Sequence, residues 1–154
     1  MPESQPPAQP PLRFAEFRPG QRFRSASRAV TTEEIKDFAR AYDPQPFHLD
    51  EAAAAGSLFG GLAASGWHTA ALAMRLNVDG GLPVAGGIIG GAIDELRWPT
   101  PVRPGDTLTA ENEVLEVIPS ASRPGQGRIR AACRVTNQDG VVVLSYVATL
   151  VVRG

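Results

Sequence analysis

Apolar residues recur with a helical period in the first half of this 154-residue chain. Within TTEEIKDFARAY, four of them share one face and predict an amphipathic helix: Ile35, Phe38, Ala39 and Tyr42. Thr31 and Glu34 match the S/T-x-x-E capping box, which indicates where this helix begins. Pro44 disfavours helical geometry at the residue before it, so we expect the helix to end there.

Two further helices are expected in the middle of the chain. Asp50 is a typical N-cap for a short helix through EAAAA, and Gly56 is a typical helix end. The segment LAASGWHTAALAMRLNV is small or apolar nearly all round, as expected of a helix enclosed by other structure. We expect the segment from Asn77 to Pro83 to end that helix.

The remaining pattern predicts strands. A first strand is expected from about Gln21 to Val30, and the others lie in VAGGIIGGAIDELRW, TLTAENEVLEV, RIRAACRVTN and VVVLSYVATLVV. In RIRAACRVTN, alternate residues form one apolar face: Ile129, Ala131, Cys133 and Val135. Short turns such as QDG imply that consecutive strands pair antiparallel. The fold class that accommodates both parts is α+β, with an antiparallel β-sheet wrapped around a central helix.

Composition and charge narrow the function classes. With 43% apolar and 20% charged residues, the chain suits one folded domain, expected at residues 13–154 after a disordered, proline-rich tail at residues 1–12. A net charge of −1 argues against nucleic acid or an anionic membrane as a partner. No apolar run reaches the roughly 18 residues of a transmembrane helix. The N-terminus lacks an apolar signal region, so we expect a cytoplasmic protein.

The stretch AYDPQPFHLDEAAAAG combines an acid and an imidazole in one stiffened loop. Asp43 and His48 are five residues apart, and Pro44 and Pro46 between them restrict the backbone. One interpretation is simple helix termination, because Asp before proline commonly forms an Asx turn. The other is general acid–base catalysis, in which a carboxyl and an imidazole near one water divide the proton transfers.

The sequence gives little support for a metal site, a disulfide or a nucleotide-binding loop. Cys133 is the single cysteine, so the chain has no internal disulfide and no four-ligand site of cysteines. A metal site built from Asp43, His48, Asp50 and His68 lacks a recognised ligand spacing, and we predict none. We expect His68 to be a packed or interface residue. The glycines of GGIIGG do not match a nucleotide-binding G-x-G-x-x-G motif, and no cofactor is expected.

Three segments resemble the MaoC-like dehydratase family, which includes the (R)-specific enoyl-CoA hydratases. Residues 43–50, DPQPFHLD, resemble the hydratase signature D-x-N-P-φ-H-x-D, where φ is apolar, and alanines follow as in the family. ASGWHTAAL lies where the family has a glycine at the entry to its central helix. ELRWPTPVRPGDTLTAENEVLEV resembles the strand-turn-strand segment F-x-x-P-V-x-x-G-D-T-L, and the likeness extends over residues 13–152.

The resemblance implies a hotdog fold and homodimers or larger assemblies with the active site near the subunit interface. It also implies reversible syn addition of water to a 2-enoyl thioester carried by coenzyme A or acyl carrier protein. Asp43 and His48 would hold the catalytic water between them. The N–H of Gly66, free at a helix N-terminus, would bind the thioester carbonyl oxygen.

Four further residues are candidates for substrate binding: Ser65, Trp67, Arg97 and Arg103. The two arginines suit the phosphates of coenzyme A, or are solvated charges at a strand edge. Trp67 and also Trp98 either line an acyl pocket or fill the core, and Ser65 is favoured as a helix N-cap.

Two positions depart from the family pattern. Met74 stands where several enoyl-CoA hydratases have a serine, and Gln45 replaces the usual asparagine. Both departures leave the acid–base pair in place and permit a neighbouring dehydratase activity. A hotdog thioesterase is one alternative, although the Asp43–His48 pair argues against it, and the two departures keep open a second, a non-catalytic acyl-CoA-binding protein.

Overall fold

The computed structural model describes residues 9–154 and contains four α-helices and six strands there. The helices are α1 (Thr32–Tyr42), α2 (Pro46–Leu49), α3 (Glu51–Ala55) and α4 (Gly66–Leu76). The strands are β1 (Arg22–Arg24), β2 (Arg28–Ala29), β3 (Ile89–Arg97), β4 (Thr107–Pro119), β5 (Gly127–Thr136) and β6 (Val142–Val152). Residues 1–8 of the expected disordered tail lie outside the described residues. Leu12, at the expected boundary, donates its N–H to the Pro83 carbonyl at 2.7 Å.

Helix α1 begins and ends where the sequence predicts. The Thr31 hydroxyl accepts the Glu34 N–H at 3.1 Å, which caps the helix. The reciprocal half of the capping box does not form, because one Glu34 oxygen faces Arg28 at 3.5 Å instead. The Asp43 N–H still bonds to the Ala39 carbonyl at 2.9 Å, and the chain then leaves helical geometry before Pro44.

The two short helices that follow set the position of the candidate loop. Pro46 occupies the first turn of α2, where its missing N–H costs nothing. The Asp50 carboxylate accepts the Ala52 N–H at 3.1 Å and caps α3, which ends at Gly56 as predicted. His48 is thereby held within α2, and Asp43 lies at the end of α1.

The sheet is antiparallel throughout, in the order β1-β4-β5-β6-β3, with β2 also paired to β4. One expectation was wrong: the strand predicted from Gln21 to Val30 is two short strands. Ser25 donates its N–H to the Ala110 carbonyl at 2.9 Å, and its hydroxyl accepts the Ala110 N–H at 2.8 Å. Because a side chain takes the place of a backbone acceptor, the regular ladder stops at residue 25 and resumes at residue 28.

Helix α4 packs against the sheet through Leu72, Ala73 and Leu76. The predicted apolar face of β5 is buried along its whole length, and Cys133 and Val135 of that face belong to the same core as α4. The expectation that α4 is enclosed all round was wrong for the single chain. Trp67 is 60% exposed and Met74 is 44% exposed, because these side chains lie on the face that points away from the sheet. No helix among residues 9–154 is long and apolar enough to cross a membrane.

Candidate active site

The loop with the acid and the imidazole lies beside an extended segment, residues 62–65, which leads into α4. The Ala63 N–H bonds to the Phe47 carbonyl at 3.3 Å, and the Ala64 N–H bonds to the Val102 carbonyl at 2.9 Å. The first bond holds α2 against the segment that leads into α4, and the second holds the same segment against residue 102, after β3. Asp43, His48 and Gly66 consequently share one cavity wall.

Asp43 and His48 are in contact. His48 Nε2 lies 3.2 Å from Asp43 Oδ2, with 4% of the imidazole and 18% of the carboxyl side chain exposed. His48 Nδ1 lies 2.6 Å from the carbonyl oxygen of Ala63. Because a carbonyl only accepts, Nδ1 must be the protonated nitrogen of this bond. Nε2 is therefore the nitrogen that faces Asp43 and is available for chemistry.

The carboxylate of Asp43 is held in its ionised form. Burial by itself would raise its pKa, but the hydrogen bond from Gln45, the nearby hydroxyl of Ser65 and the charge of His48 outweigh burial, so the pKa lies below its ordinary value. Gln45 donates from Nε2 to Asp43 Oδ1 at 2.5 Å. The residue that departs from the family asparagine thus supports the acid directly.

Gly66 begins α4, and the side chain of Trp98 covers it. The indole Nε1 donates to the Gly66 carbonyl at 2.8 Å. A Cβ atom at this position would lie 2.8 Å from Cε2 of Trp98, which is closer than van der Waals contact permits. As the first residue of the helix, Gly66 has no intrahelical acceptor for its N–H, and no other described residue supplies one.

The cavity beside these groups has a volume of about 470 Å³. Its wall is largely apolar and includes Phe47, Phe59, Trp67, Trp98 and Val102. Trp67 and Trp98 meet edge to face, with ring centroids 5.3 Å apart. Asp43 and His48 therefore lie beside a predominantly apolar space, which suits a substrate with an apolar body and one reactive polar group.

The two arginines differ in their surroundings. Arg103 is half-buried and donates to the carbonyls of Gly61 at 2.8 Å, Leu62 at 3.3 Å and Phe59. Its guanidinium therefore fixes the loop that carries the Phe59 wall of the cavity. Arg97 is exposed at the end of β3. Phosphate binding by either arginine stays a prediction.

Ser65 and His68 lie on either side of Gly66 in sequence. Ser65 occupies the N-cap position, but its hydroxyl makes no capping bond, so the favoured N-cap role is wrong for the side chain. His68 is buried and stacks on Phe38, with centroids 4.9 Å apart and an interplanar angle of 11°. Burial lowers the pKa of His68, Glu34 opposes this, and Arg28 adds to it. His68 is thus a packed residue, as expected.

Sequence reasoning missed the backbone carbonyl of Ala63 and the aromatic wall formed by Phe59. A carbonyl has no signature in a sequence, because every residue carries one. Phe59 stands in a loop with no periodic pattern, and only its proximity to Phe47, 5.1 Å between ring centroids, reveals its role. Among residues 9–154, no cluster of three or more His, Cys, Asp or Glu is arranged to hold a metal ion.

Comparison with known proteins assigns the chain to a family. A family model described as "MaoC like domain" matches residues 14–132. The chain belongs to the MaoC-like dehydratase family. A MaoC-like dehydratase from Rhodospirillum rubrum, known from a crystal structure, is 53% identical, with a TM-score of 0.89 over 92% of this chain and 97% of that one.

Two further relatives carry the word hydratase in their names. The R-hydratase PhaJ1 of Pseudomonas aeruginosa is 31% identical, with a TM-score of 0.75 over 93% of this chain and 86% of that one. The mesaconyl-CoA hydratase of Cereibacter sphaeroides is 44% identical over 59 residues, which are 38% of this chain and 17% of that protein. The hotdog fold predicted from the resemblance is confirmed by this structural likeness.

Proposed function

We propose that this MaoC-like protein is an acyl-CoA hydratase or dehydratase that interconverts a 2-enoyl thioester and a 3-hydroxyacyl thioester. The observation that carries the proposal is the 3.2 Å contact between Asp43 Oδ2 and His48 Nε2 on the wall of an apolar cavity that also contains Gly66. Relatives named R-hydratase and mesaconyl-CoA hydratase support the reaction class. No cofactor is needed for this chemistry, since water is the second reactant.

The acid and the imidazole divide the two proton transfers. Asp43, ionised, accepts one proton of the water while the water oxygen bonds to the β-carbon of the enoyl group. The electrons of the double bond move to the α-carbon, and His48, which enters the reaction protonated on Nε2 as well as on the Nδ1 bonded to Ala63, delivers the Nε2 proton there. Asp43 then holds a proton that passes to His48 across their contact and restores both groups. Positioned acid–base groups of this kind contribute about 10²–10⁴-fold in rate.

The third participant is the backbone N–H of Gly66. Negative charge grows on the thioester oxygen as the α-carbon becomes carbanionic, and an N–H at a helix N-terminus stabilises such charge. A backbone N–H held at the start of a helix needs no reorganisation during the reaction. Such a donor typically lowers the barrier by about 2.7–4 kcal/mol. The acyl carrier, coenzyme A or acyl carrier protein, is bound outside the catalytic pair, where Arg97 and Arg103 are candidates for its phosphates.

We further propose self-association through β3 and the outward face of α4. Strand β3 forms one end of the sheet, and Ile93 on it is 51% exposed. Trp67 and Met74 add exposed apolar surface on α4. An unpaired strand edge beside apolar surface favours pairing with a second copy. Light scattering should give at least a dimer, and Ile93→Glu should shift it to monomer; a monomeric wild-type protein would contradict the proposal.

A panel of enoyl-CoA and 3-hydroxyacyl-CoA thioesters tests the reaction, because hydration removes the absorbance of the conjugated thioester. Asp43→Asn and His48→Gln should each lower kcat by about 10²-fold or more while the melting temperature stays close to that of the wild type. Thr107→Ser, remote from the cavity on β4, serves as the control. Full activity in either site variant would remove the proposed mechanism.

Two alternative functions give different results in the same panel. A thioesterase would release free thiol from acyl-CoA without hydrating the double bond. A non-catalytic acyl-CoA-binding protein would bind the thioesters without turnover of any of them. The Asp43–His48 contact favours the hydratase, because the pair offers both an acceptor and a donor of protons beside one cavity.

A further inference from the structure

Ser65 carries a buried hydroxyl that no structural role explains. The residue is fully buried, and its Oγ makes no hydrogen bond of regular geometry with any described residue. A serine at this position normally accepts an N–H from the first turn of the helix, but Ser65 does not. Burying a hydroxyl without a partner is costly, so a partner is expected to complete it in the working site.

The backbone of Ser65 is fixed while its hydroxyl is not. Its carbonyl accepts the Thr69 N–H at 3.0 Å and the Thr69 hydroxyl at 3.4 Å, which anchors it to α4. Two residues earlier, the Ala63 carbonyl holds the imidazole of His48 at 2.6 Å. The extended segment 62–65 thus holds His48 at one point, and the two neighbours of Ser65 in the chain, Ala64 and Gly66, line the same cavity as Asp43.

Asp43 has room for this hydroxyl. Its Oδ1 accepts from Gln45 at 2.5 Å, and its Oδ2 faces His48 at 3.2 Å. An ionised carboxylate offers about four lone-pair sites, so it accommodates a third donor as well as a proton from water. Among the described residues, His48 is the titratable group whose charge acts on Asp43, and Gln45 and Ser65 act as neutral donors.

We propose that Ser65 is a positioning residue for Asp43, whose hydroxyl donates to the carboxylate and holds it against His48 while the water reacts. This inference rests on the proposed hydratase function and adds a residue to its site. It differs from direct substrate binding, because the hydroxyl acts through Asp43. It also accounts for the absent capping bond, since a hydroxyl directed at Asp43 is not available to the first turn of α4.

Carboxyl-carbon NMR titration of Asp43 and steady-state kinetics together test the inference. Ser65→Ala should raise the pKa of Asp43 and lower kcat/KM on the order of tenfold, mainly through kcat, because a hydrogen bond to a charged group is lost. Ser65→Thr, which keeps the hydroxyl, should restore both values. Ser27→Ala is the matched control, since its hydroxyl bonds to the Thr109 hydroxyl at 2.7 Å and does not act on Asp43.

The outcomes separate this inference from the proposed function. A lower melting temperature in Ser65→Ala with an unmoved Asp43 titration would mean a purely structural role and overturn the inference. Where Ser65→Thr fails to fold, the comparison of Ser65→Ala with the wild type decides alone. Absence of turnover by the wild type on every thioester would contradict the hydratase proposal, while the Asp43 titration would still decide what Ser65 does.

Discussion

In Gly66→Ala, helix propensity and tertiary packing have opposite effects on the stability of the protein. Alanine is the better helix former by up to about 1 kcal/mol, so propensity alone predicts a neutral or stabilising change. In the folded protein, however, the new methyl group would lie 2.8 Å from Cε2 and 2.9 Å from Nε1 of Trp98. Either the indole or the start of α4 has to move.

The size of the effect follows from these contacts. Overpacking of this kind typically costs about 1–3 kcal/mol, which exceeds the gain in helix propensity. Movement of the indole also strains the 2.8 Å bond from Trp98 Nε1 to the Gly66 carbonyl. If the helix start moves instead, the proposed bond from its N–H to the thioester oxygen is lost, and loss of such a donor costs about 10²–10³-fold in kcat. We expect Gly66→Ala to lower kcat strongly and to lower the melting temperature only slightly.

Hydration of a substrate from the thioester panel and thermal unfolding measure the two effects in one variant. Trp98→Phe, combined with Gly66→Ala, removes the indole nitrogen and part of the clashing ring and should recover part of the lost kcat. Trp98→Phe alone is the matched control. A Gly66→Ala protein with kcat within about twofold of the wild type would refute the assignment of this N–H, since losing such a donor costs far more.

Two further variants test how the site is supported. Arg103→Leu leaves the carbonyls that its guanidinium binds without their donor, so urea unfolding should show a loss of about 2 kcal/mol; weaker coenzyme A binding with unchanged stability would instead indicate a phosphate ligand. His68, whose pKa is lowered in the folded state, contributes stability that is complete above the unfolded pKa of about 6.5 and is lost as the pH falls through it. His68→Phe should therefore flatten the stability profile between about pH 7 and 5, and a slope equal to that of the wild type would contradict the assignment.

The sequence by itself determined most of the elements. Thr31 and Pro44 set the limits of α1 because capping and proline geometry act over a few residues. The alternation from Ile129 to Val135 predicted the buried face of β5, since side chains of a strand point to opposite faces in turn. The split of the first strand was not foreseeable, because it depends on a hydroxyl–backbone bond between residues 25 and 110.

Some features of the candidate active site were likewise predicted from the sequence, and others only from the tertiary structure. Asp43 and His48 are close in sequence, and the prolines between them restrict their separation, so a local pattern made them candidates, and the resemblance of three segments to the MaoC-like family selected them. Only the tertiary structure brought the Ala63 carbonyl to His48 Nδ1 and Ser65 to Asp43, whereas Gln45 reaches Asp43 from the same loop. The Ala63 contact leaves Nε2 as the His48 nitrogen that faces Asp43. The contacts of Asp43 keep its carboxyl group ionised. Protonation depends on burial and on neighbouring charges and donors, which exist only once distant segments have packed together.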